Sequence, residues 1–188
     1  MTKRPLLVVF IGFPGSGKTY FSTRLAKKLP AVTLNSDALR LAMFGSLERI
    51  DEIRATDNQR LYTDVFGAMD YAARQALKSG VSVVYDAQMA KRRDRKNIEK
   101  LAAETGAMPV LVWMKTSPDE AIRRGQTREI RDDSHRYGLE KITMLVERFG
   151  RTTDVPEPNE NAIEIDGELP FEAQYESFQK QLATFTGK

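Results

Sequence analysis

Cysteine is absent from the 188 residues, and histidine and tryptophan occur once each. Without a thiol there is no disulfide framework, no thiolate zinc site and no cysteine nucleophile, a composition that suits a reducing cytosol. A lone histidine with no clustered partner makes no metal site. Long apolar runs are also missing. The run nearest the start, Leu6 to Ile11, is far below the ~18 residues a membrane span needs and carries no signal-peptide cleavage pattern. The expectation is therefore a cytoplasmic protein with no membrane partner. Internal repeats, low-complexity tracts and the Asn-Lys-x-Asp or Thr-Lys-x-Asp signature of guanine recognition are absent too, which argues against a repeat fold and against a GTPase.

With 41% apolar and 29% charged residues, the composition is that of an ordinary globular protein, and the length predicts one compact domain over 1–188. The net charge of +3 conceals a gradient. Residues 1–90 carry 12 basic and 8 acidic groups, residues 91–151 carry 15 and 10, and residues 152–188 carry 2 and 8. A basic region of this kind attracts phosphate or nucleic acid, although a solvated face explains it equally well.

Apolar runs alternate with helical patterns. Leu6 to Ile11 is uninterrupted rather than alternating, as expected of a strand covered on both faces. Further strands are predicted at Ala31–Leu34, Val81–Tyr85, Pro109–Met114 and Ala162–Ile165. Helices are predicted over about 18–29, 58–78, 92–104, 139–149 and 171–185, with a polar stretch at about 46–56 and an N-cap at Ser117 before Pro118. Repeated β-α units predict an α/β fold, an approximately five-stranded parallel sheet with helices on both faces. In such sheets ligands bind outside the C-terminal ends of the strands, which points to Gly12–Thr19, Asn35–Arg40, Asp86–Gln88, Lys115–Ser117 and Asp166–Gly167.

Gly12-Phe-Pro-Gly-Ser-Gly-Lys18-Thr19 satisfies G-x-x-x-x-G-K-[ST], with a strand before it and a helix after it. Glycines let successive N–H groups converge on an anion, and the helix start adds its positive dipole end. Gly12, Pro14, Gly15, Ser16, Gly17, Lys18 and Thr19 are thus expected to bind the phosphates of ATP. Lys18 would reach the β/γ-phosphates and the Thr19 hydroxyl would ligate Mg²⁺. On the acceptor side, Asp37 follows the second strand and Arg40 lies one helical turn later. A carboxylate there suits a general base for an attacking hydroxyl, and the guanidinium suits a substrate phosphate. A capping role for Asp37, or for Ser36, fits the sequence equally well.

These segments resemble the P-loop kinases grouped around phage-type polynucleotide 5′-hydroxyl kinase, with zeta-toxin-like and small-metabolite kinases as relatives, a group of AAA_33-type ATP-binding proteins. The resemblance rests on Gly12 to Thr19, Asn35-Ser-Asp37-Ala-Leu-Arg40, Val-Val-Tyr-Asp86 with Lys91-Arg-Arg-Asp-Arg-Lys96, and Arg124-Gly-Gln-Thr-Arg128, and it covers roughly residues 5–150. It implies a P-loop NTPase fold and an ATP-dependent phosphotransferase. Asp37 would be the base, Arg40 would contact the acceptor's phosphate, and Asp86 would line the acceptor pocket or support Mg²⁺, directly or through water. An Arg-rich lid at about 125–137 would carry Arg128 to the transferring phosphoryl group, with Arg124 packed near the nucleotide. The implied acceptor is a polynucleotide 5′-hydroxyl. A small metabolite, a zeta-toxin-like acceptor and an acceptor-free ATPase or switch are the alternatives.

The remaining residues read blandly. Asp86 could instead cap the turn after its strand, Arg123 is expected in solvent, and Lys91–Lys96 reads as a solvated helix start before a nucleic-acid track. His135 is expected on the lid surface, beside Asp132 and Asp133. Trp113, Met108, Met114 and Met144 read as core, and Asp166-Gly167 either borders the adenine or forms a simple turn.

Overall fold

The computed structural model describes residues 4–127 and 138–186. Five strands, β1 (Leu6–Ile11), β2 (Ala31–Asn35), β3 (Ser82–Gln88), β4 (Met108–Lys115) and β5 (Ile163–Asp166), form one sheet in the order β2-β3-β1-β4-β5. All four pairings are parallel. The helices are α1 (Lys18–Lys28), α2 (Ser36–Phe44), α3 (Leu47–Lys78), α4 (Arg92–Thr105), α5 (Pro118–Thr127), α6 (Leu139–Thr152) and α7 (Phe171–Thr186).

Every residue of β1 is buried, which explains its unbroken apolar run. Leu7, Val9 and Ile11 pack with Leu61, Val65 and Met69 of α3 and Ile98 and Leu101 of α4. Leu6, Val8 and Phe10 face the other way, against Phe21 and Leu25 of α1 and Phe171 and Phe178 of α7. The sheet is therefore covered on both faces, and β1 delivers its following loop to the point where the strand order reverses, the place where such sheets hold ligands. A smaller cluster, Ala121, Ile142 and Val146 with Phe13 and Ile122, joins α5 to α6 above this edge.

The largest departure from the sequence reading is at 46–56, where a polar stretch is helical. Ser46 accepts the N–H of Arg49 as N-cap of α3, and Ile50 is buried there. Ion pairs three residues apart, Arg49 with Glu52 and Arg54 with Asp51, cover the outer face. The helix bends at Asp57 (φ −148°, ψ 69°), whose carboxylate accepts the Arg60 N–H. The helix after that break begins at Asn58, as expected, so α3 consists of two helical stretches, 47–56 and 58–78, joined across Asp57. Strand β3 also runs past Tyr85 to Gln88. Its register against β1 jumps from Val9↔Tyr85 to Phe10↔Gln88, so Asp86 and Ala87 bulge out of that ladder. Met114 is buried, but Met144 is 44% exposed, because α6 turns Ile142 and Val146 to α5 and position 144 falls on the opposite face. Trp113 is only partly buried, with the Lys115 ammonium 3.6 Å from its ring centre.

In the basic run at the start of α4, Arg93 (82% exposed) and Lys96 are solvated as expected, while Lys91, Arg92 and Arg95 are engaged by the protein itself. Arg95 is 2% exposed, and its guanidinium donates to both carboxylate oxygens of Glu160, at 2.5 and 3.0 Å. Its remaining nitrogen reaches the carbonyls of Met89 and Ala90. Arg92 pairs with Glu99, Glu157 and Glu160, and Lys91 pairs with Asp154. The acidic C-terminal stretch thus pairs with three of the run's five cations, Lys91, Arg92 and Arg95.

Candidate active site

The loop after β1 opens a cleft of about 650 Å³ lined by Pro14 to Tyr20, Asn35 to Asp37, Arg40, Tyr62, Phe66, Asp86 to Gln88, Arg124 and Phe149. Gly17 is the N-cap of α1 at φ +94°, and no side chain caps that end. The first amides of α1 are left to an anion, the arrangement that a phosphate at a helix N-terminus uses. Gly15 is at φ +88°, and a Cβ there would lie 2.2 Å from the Ala121 carbonyl oxygen, so α5 closes directly over the loop.

The Lys18 ammonium donates to the Gly12 and Phe13 carbonyls at 2.8 and 2.9 Å. Burial lowers its pKa to about 8, and the charges of Asp86 and Asp37 pull in the opposite direction. Both carboxylates therefore act electrostatically on the loop lysine. Ser22 links the two sides: its hydroxyl donates to Asp86 Oδ2 at 2.9 Å and contacts the Thr19 carbonyl at 3.3 Å.

Asp86 is 4% exposed and lies within β3, so it is not a turn cap. Its Oδ2 also accepts from Asn35 Nδ2 at 2.8 Å. Asn35 in turn caps α2, its Oδ1 accepting the N–H groups of Asp37 and Ala38. That one amide rules out the capping roles considered for Asp37 and Ser36 and ties the acceptor helix to Asp86. With the cap supplied by Asn35, the Asp37 carboxylate is free for Arg40, whose Nη1 donates to it at 2.6 Å. Arg40 is largely buried, at 18% exposure, whereas Asp37 is 58% exposed. The guanidinium is held from below, touching Ser36 Oγ at 3.4 Å, and presents a carboxylate to the cleft.

Arg124 donates from Nε to Glu120 and from Nη1 to the Gly167 carbonyl, at 2.6 and 2.7 Å. It lies beside Gly17, where a Cβ would be 3.6 Å from Nη1. Gly167 lies against the loop as well, since a Cβ on it would meet the Ser16 carbonyl oxygen at 2.5 Å. The Asp166-Gly167 turn therefore forms one wall beside the phosphate loop. Arg123 points to solvent at 64% exposure, as expected, and pairs with Glu120. Of the expected lid at about 125–137, residues 125–127 form the end of α5, with Gly125 buried, and Arg128, His135 and the rest lie outside the described residues.

The cleft thus unites Lys18, Thr19, Asp37, Arg40, Asp86 and Arg124, drawn from the ends of three strands and from α5. Sequence reasoning placed Asn35 in the strand-end segment without assigning it the cap, because two equally good cap residues follow it, and it missed two aromatic residues of the cleft altogether. Tyr62 and Phe66, four apart on α3, stack with ring centres 4.3 Å apart. Their spacing matches an ordinary buried face, so nothing in the sequence marked them. Thr19 and Asp86 line the same cleft, and their hydroxyl and carboxylate are hard oxygen donors of the kind that suits Mg²⁺.

A phosphate loop at the switch point of a five-stranded parallel sheet, with a carboxylate and guanidinium pair across the cleft, defines the P-loop nucleotide-binding fold. The chain belongs to the AAA_33 family, described as an AAA domain, whose model matches residues 7–151. The fold is shared along the whole chain with solved kinases. A gluconokinase from Sinorhizobium meliloti 1021 aligns at TM-score 0.66 and 20% identity, covering 97% of this chain and 95% of that one. A sugar kinase from Janibacter sp. HTCC2649 aligns at 0.66 and 19%, covering 96% and 94%. An APS kinase from Mycobacterium tuberculosis, solved with AMPPNP and APS, aligns at 0.64 and 18%, covering 95% and 98%. No curated protein matches the chain.

Proposed function

We propose that the protein is an ATP-dependent P-loop kinase that phosphorylates a hydroxyl of a small acceptor. The observation that carries this reading is the Asp37–Arg40 pair, which shares one cleft with the phosphate loop and whose carboxylate charge acts on Lys18. Hydroxyl phosphorylation uses a carboxylate placed to take the acceptor proton, and the guanidinium held against it suits an anionic group on that acceptor, which a hydrolase or switch does not bind.

In the reaction, the acceptor oxygen attacks the γ-phosphorus and its proton passes to the Asp37 carboxylate. The bond from the γ-phosphorus to the β,γ-bridging oxygen breaks, and ADP leaves with that electron pair. The loop amides and Lys18 hold the β- and γ-phosphates, so Lys18 exchanges the Gly12 and Phe13 carbonyls for phosphate oxygens. Arg40 sets the direction of the Asp37 carboxylate and meets an anionic group of the acceptor. Thr19 and Asp86 would hold Mg²⁺, which supplies charge neutralisation of the phosphates. Arg124 supports the nucleotide side through Gly167, and Arg128 is the proposed cation at the transferring group.

A small acceptor is favoured over the polynucleotide end implied by the resemblance. Lys91, Arg92 and Arg95, three of the five cations in the Lys91–Lys96 run weighed as a nucleic-acid track, are paired with Asp154, Glu157 and Glu160, and the whole-chain structural neighbours include sugar and APS kinases. The test is transfer of γ-phosphate from labelled ATP to a panel containing D-gluconate, aldoses, adenosine 5′-phosphosulfate and a 5′-hydroxyl oligonucleotide. Labelled small product supports the proposal. Labelled oligonucleotide restores the polynucleotide reading, and rapid ATP hydrolysis with no labelled acceptor refutes the kinase.

A further inference from the structure

Gln88 closes β3 and lines the same cleft. Although the residue is only partly buried, both atoms of its amide are shielded from solvent and have no hydrogen-bond partner among the described residues. Buried polar groups are nearly always bonded, and one left unbonded costs stability. The bulge that ejects Asp86 and Ala87 from the ladder with β1 also determines where Gln88 falls. A destabilising amide placed by a backbone irregularity beside Asp86, and sharing a cleft with Asp37 and Arg40, needs a reason outside the free protein's own stability.

We propose that Gln88 reads the acceptor, and that the acceptor is a polyhydroxylated, sugar-like molecule. This rests on the kinase reading above. The tucked amide has no hydrogen bond to break among the described residues, so it turns toward a ligand at little cost. A carboxamide offers one accepting oxygen and a donating NH₂, which two neighbouring hydroxyls satisfy, one donating and one accepting. The Tyr62–Phe66 stack supplies an apolar wall for the C–H face of such a molecule. A site built to bond a hydroxyl rejects the analogue lacking it far more strongly than an apolar pocket can.

Gln88→Met, similar in length but apolar, tests this in two ways. If the amide serves the ligand and not the fold, the free variant melts about 2–4 °C higher or more, with ADP affinity retained. With D-gluconate and 2-deoxy-D-gluconate, and with D-ribose and 2-deoxy-D-ribose, as acceptors, the wild type prefers the fully hydroxylated member by about 100-fold or more. The variant keeps less than a tenth of that preference, chiefly through a higher acceptor KM. A lower melting temperature overturns the proposal, because the amide is then structural, and so does an unchanged preference. Transfer only to non-polyol acceptors overturns the sugar-like assignment. Transfer to no acceptor refutes the kinase reading, while the melting comparison still decides Gln88.

Discussion

Replacing Glu160 with alanine is expected to destabilise the fold and blunt the acceptor side together. The Arg95 and Glu160 side chains are each 2% exposed and joined by two hydrogen bonds. Removing one member of a buried pair leaves a buried charge uncompensated, at a cost of about 3–5 kcal/mol. At roughly 2–4 °C per kcal/mol for a chain of this size, the melting temperature should fall by about 6–20 °C. Arg95 also holds the Met89 and Ala90 carbonyls, directly after Gln88. Loosening it should raise the acceptor KM more than the ATP KM. Arg95→Met with Glu160→Leu removes both charges, and a buried pair exchanged for apolar groups is often close to neutral, so the double variant should recover most of the loss. Burial pushes the Glu160 carboxyl up, but the hydrogen bonds from Arg95 and the Glu157 N–H and the charges of Arg95 and Arg92 outweigh it and leave the pKa lowered. A carboxylate with a lowered folded value contributes stability that is complete above its unfolded value of about 4.3 and is lost as pH falls through the folded one. Glu160→Gln should remove that part of the acid sensitivity. Circular-dichroism melts from pH 3 to 7 measure all of this. A loss below 2 °C for Glu160→Ala, or a double variant as unstable as the single one, would refute the clamp.

Asp37→Asn should lower phosphoryl transfer by about 10²–10⁴-fold with melting temperature and ADP affinity retained, since Asn35 rather than Asp37 caps α2. Full activity on a confirmed acceptor would eliminate Asp37 as the base. With Lys18 at about 8 in the free protein, ADP affinity measured by calorimetry should weaken by about tenfold between pH 7 and 9 as the lysine loses its proton. Because that value is below the unfolded one, the free protein should instead gain stability from pH 8 to about 10.5. Both trends should vanish in Lys18→Met. Gly15→Ala adds a Cβ 2.2 Å from the Ala121 carbonyl at φ +88°. The left-handed backbone alone costs about 1–2 kcal/mol, so a lower melting temperature and roughly tenfold weaker ADP binding should follow. Wild-type values would mean that α5 does not cap the loop.

What could be read from the sequence follows the range of the interactions. Strands β1 and β4, α1 and the phosphate loop are specified by neighbouring residues, by apolar runs and by glycines that permit φ near +90° at 15 and 17, so local reasoning placed them correctly. The first half of α3 carries few apolar residues and is held by a serine cap and surface ion pairs, which look like loop composition until Ile50 is seen to be buried. The site divides in the same way. Lys18, Asp37 and Asp86 stand at the ends of recognisable strands, whereas the Asn35 amide that joins Asp86 to α2, the Ser22 hydroxyl and the Tyr62–Phe66 wall depend on contacts between elements far apart in the chain. Charge shows the limit most clearly. In the sequence the basic residues up to 151 and the acidic stretch after them form only a gradient, whose basic part suits phosphate, nucleic acid or a solvated face. Arg95 and Glu160 are 65 positions apart and form one buried pair, and Lys91 and Arg92 find Asp154 and Glu157. Among the described residues the cations that line the cleft are Lys18, Arg40 and Arg124, a distribution that suits the proposed metabolite kinase better than a protein that tracks a phosphate backbone.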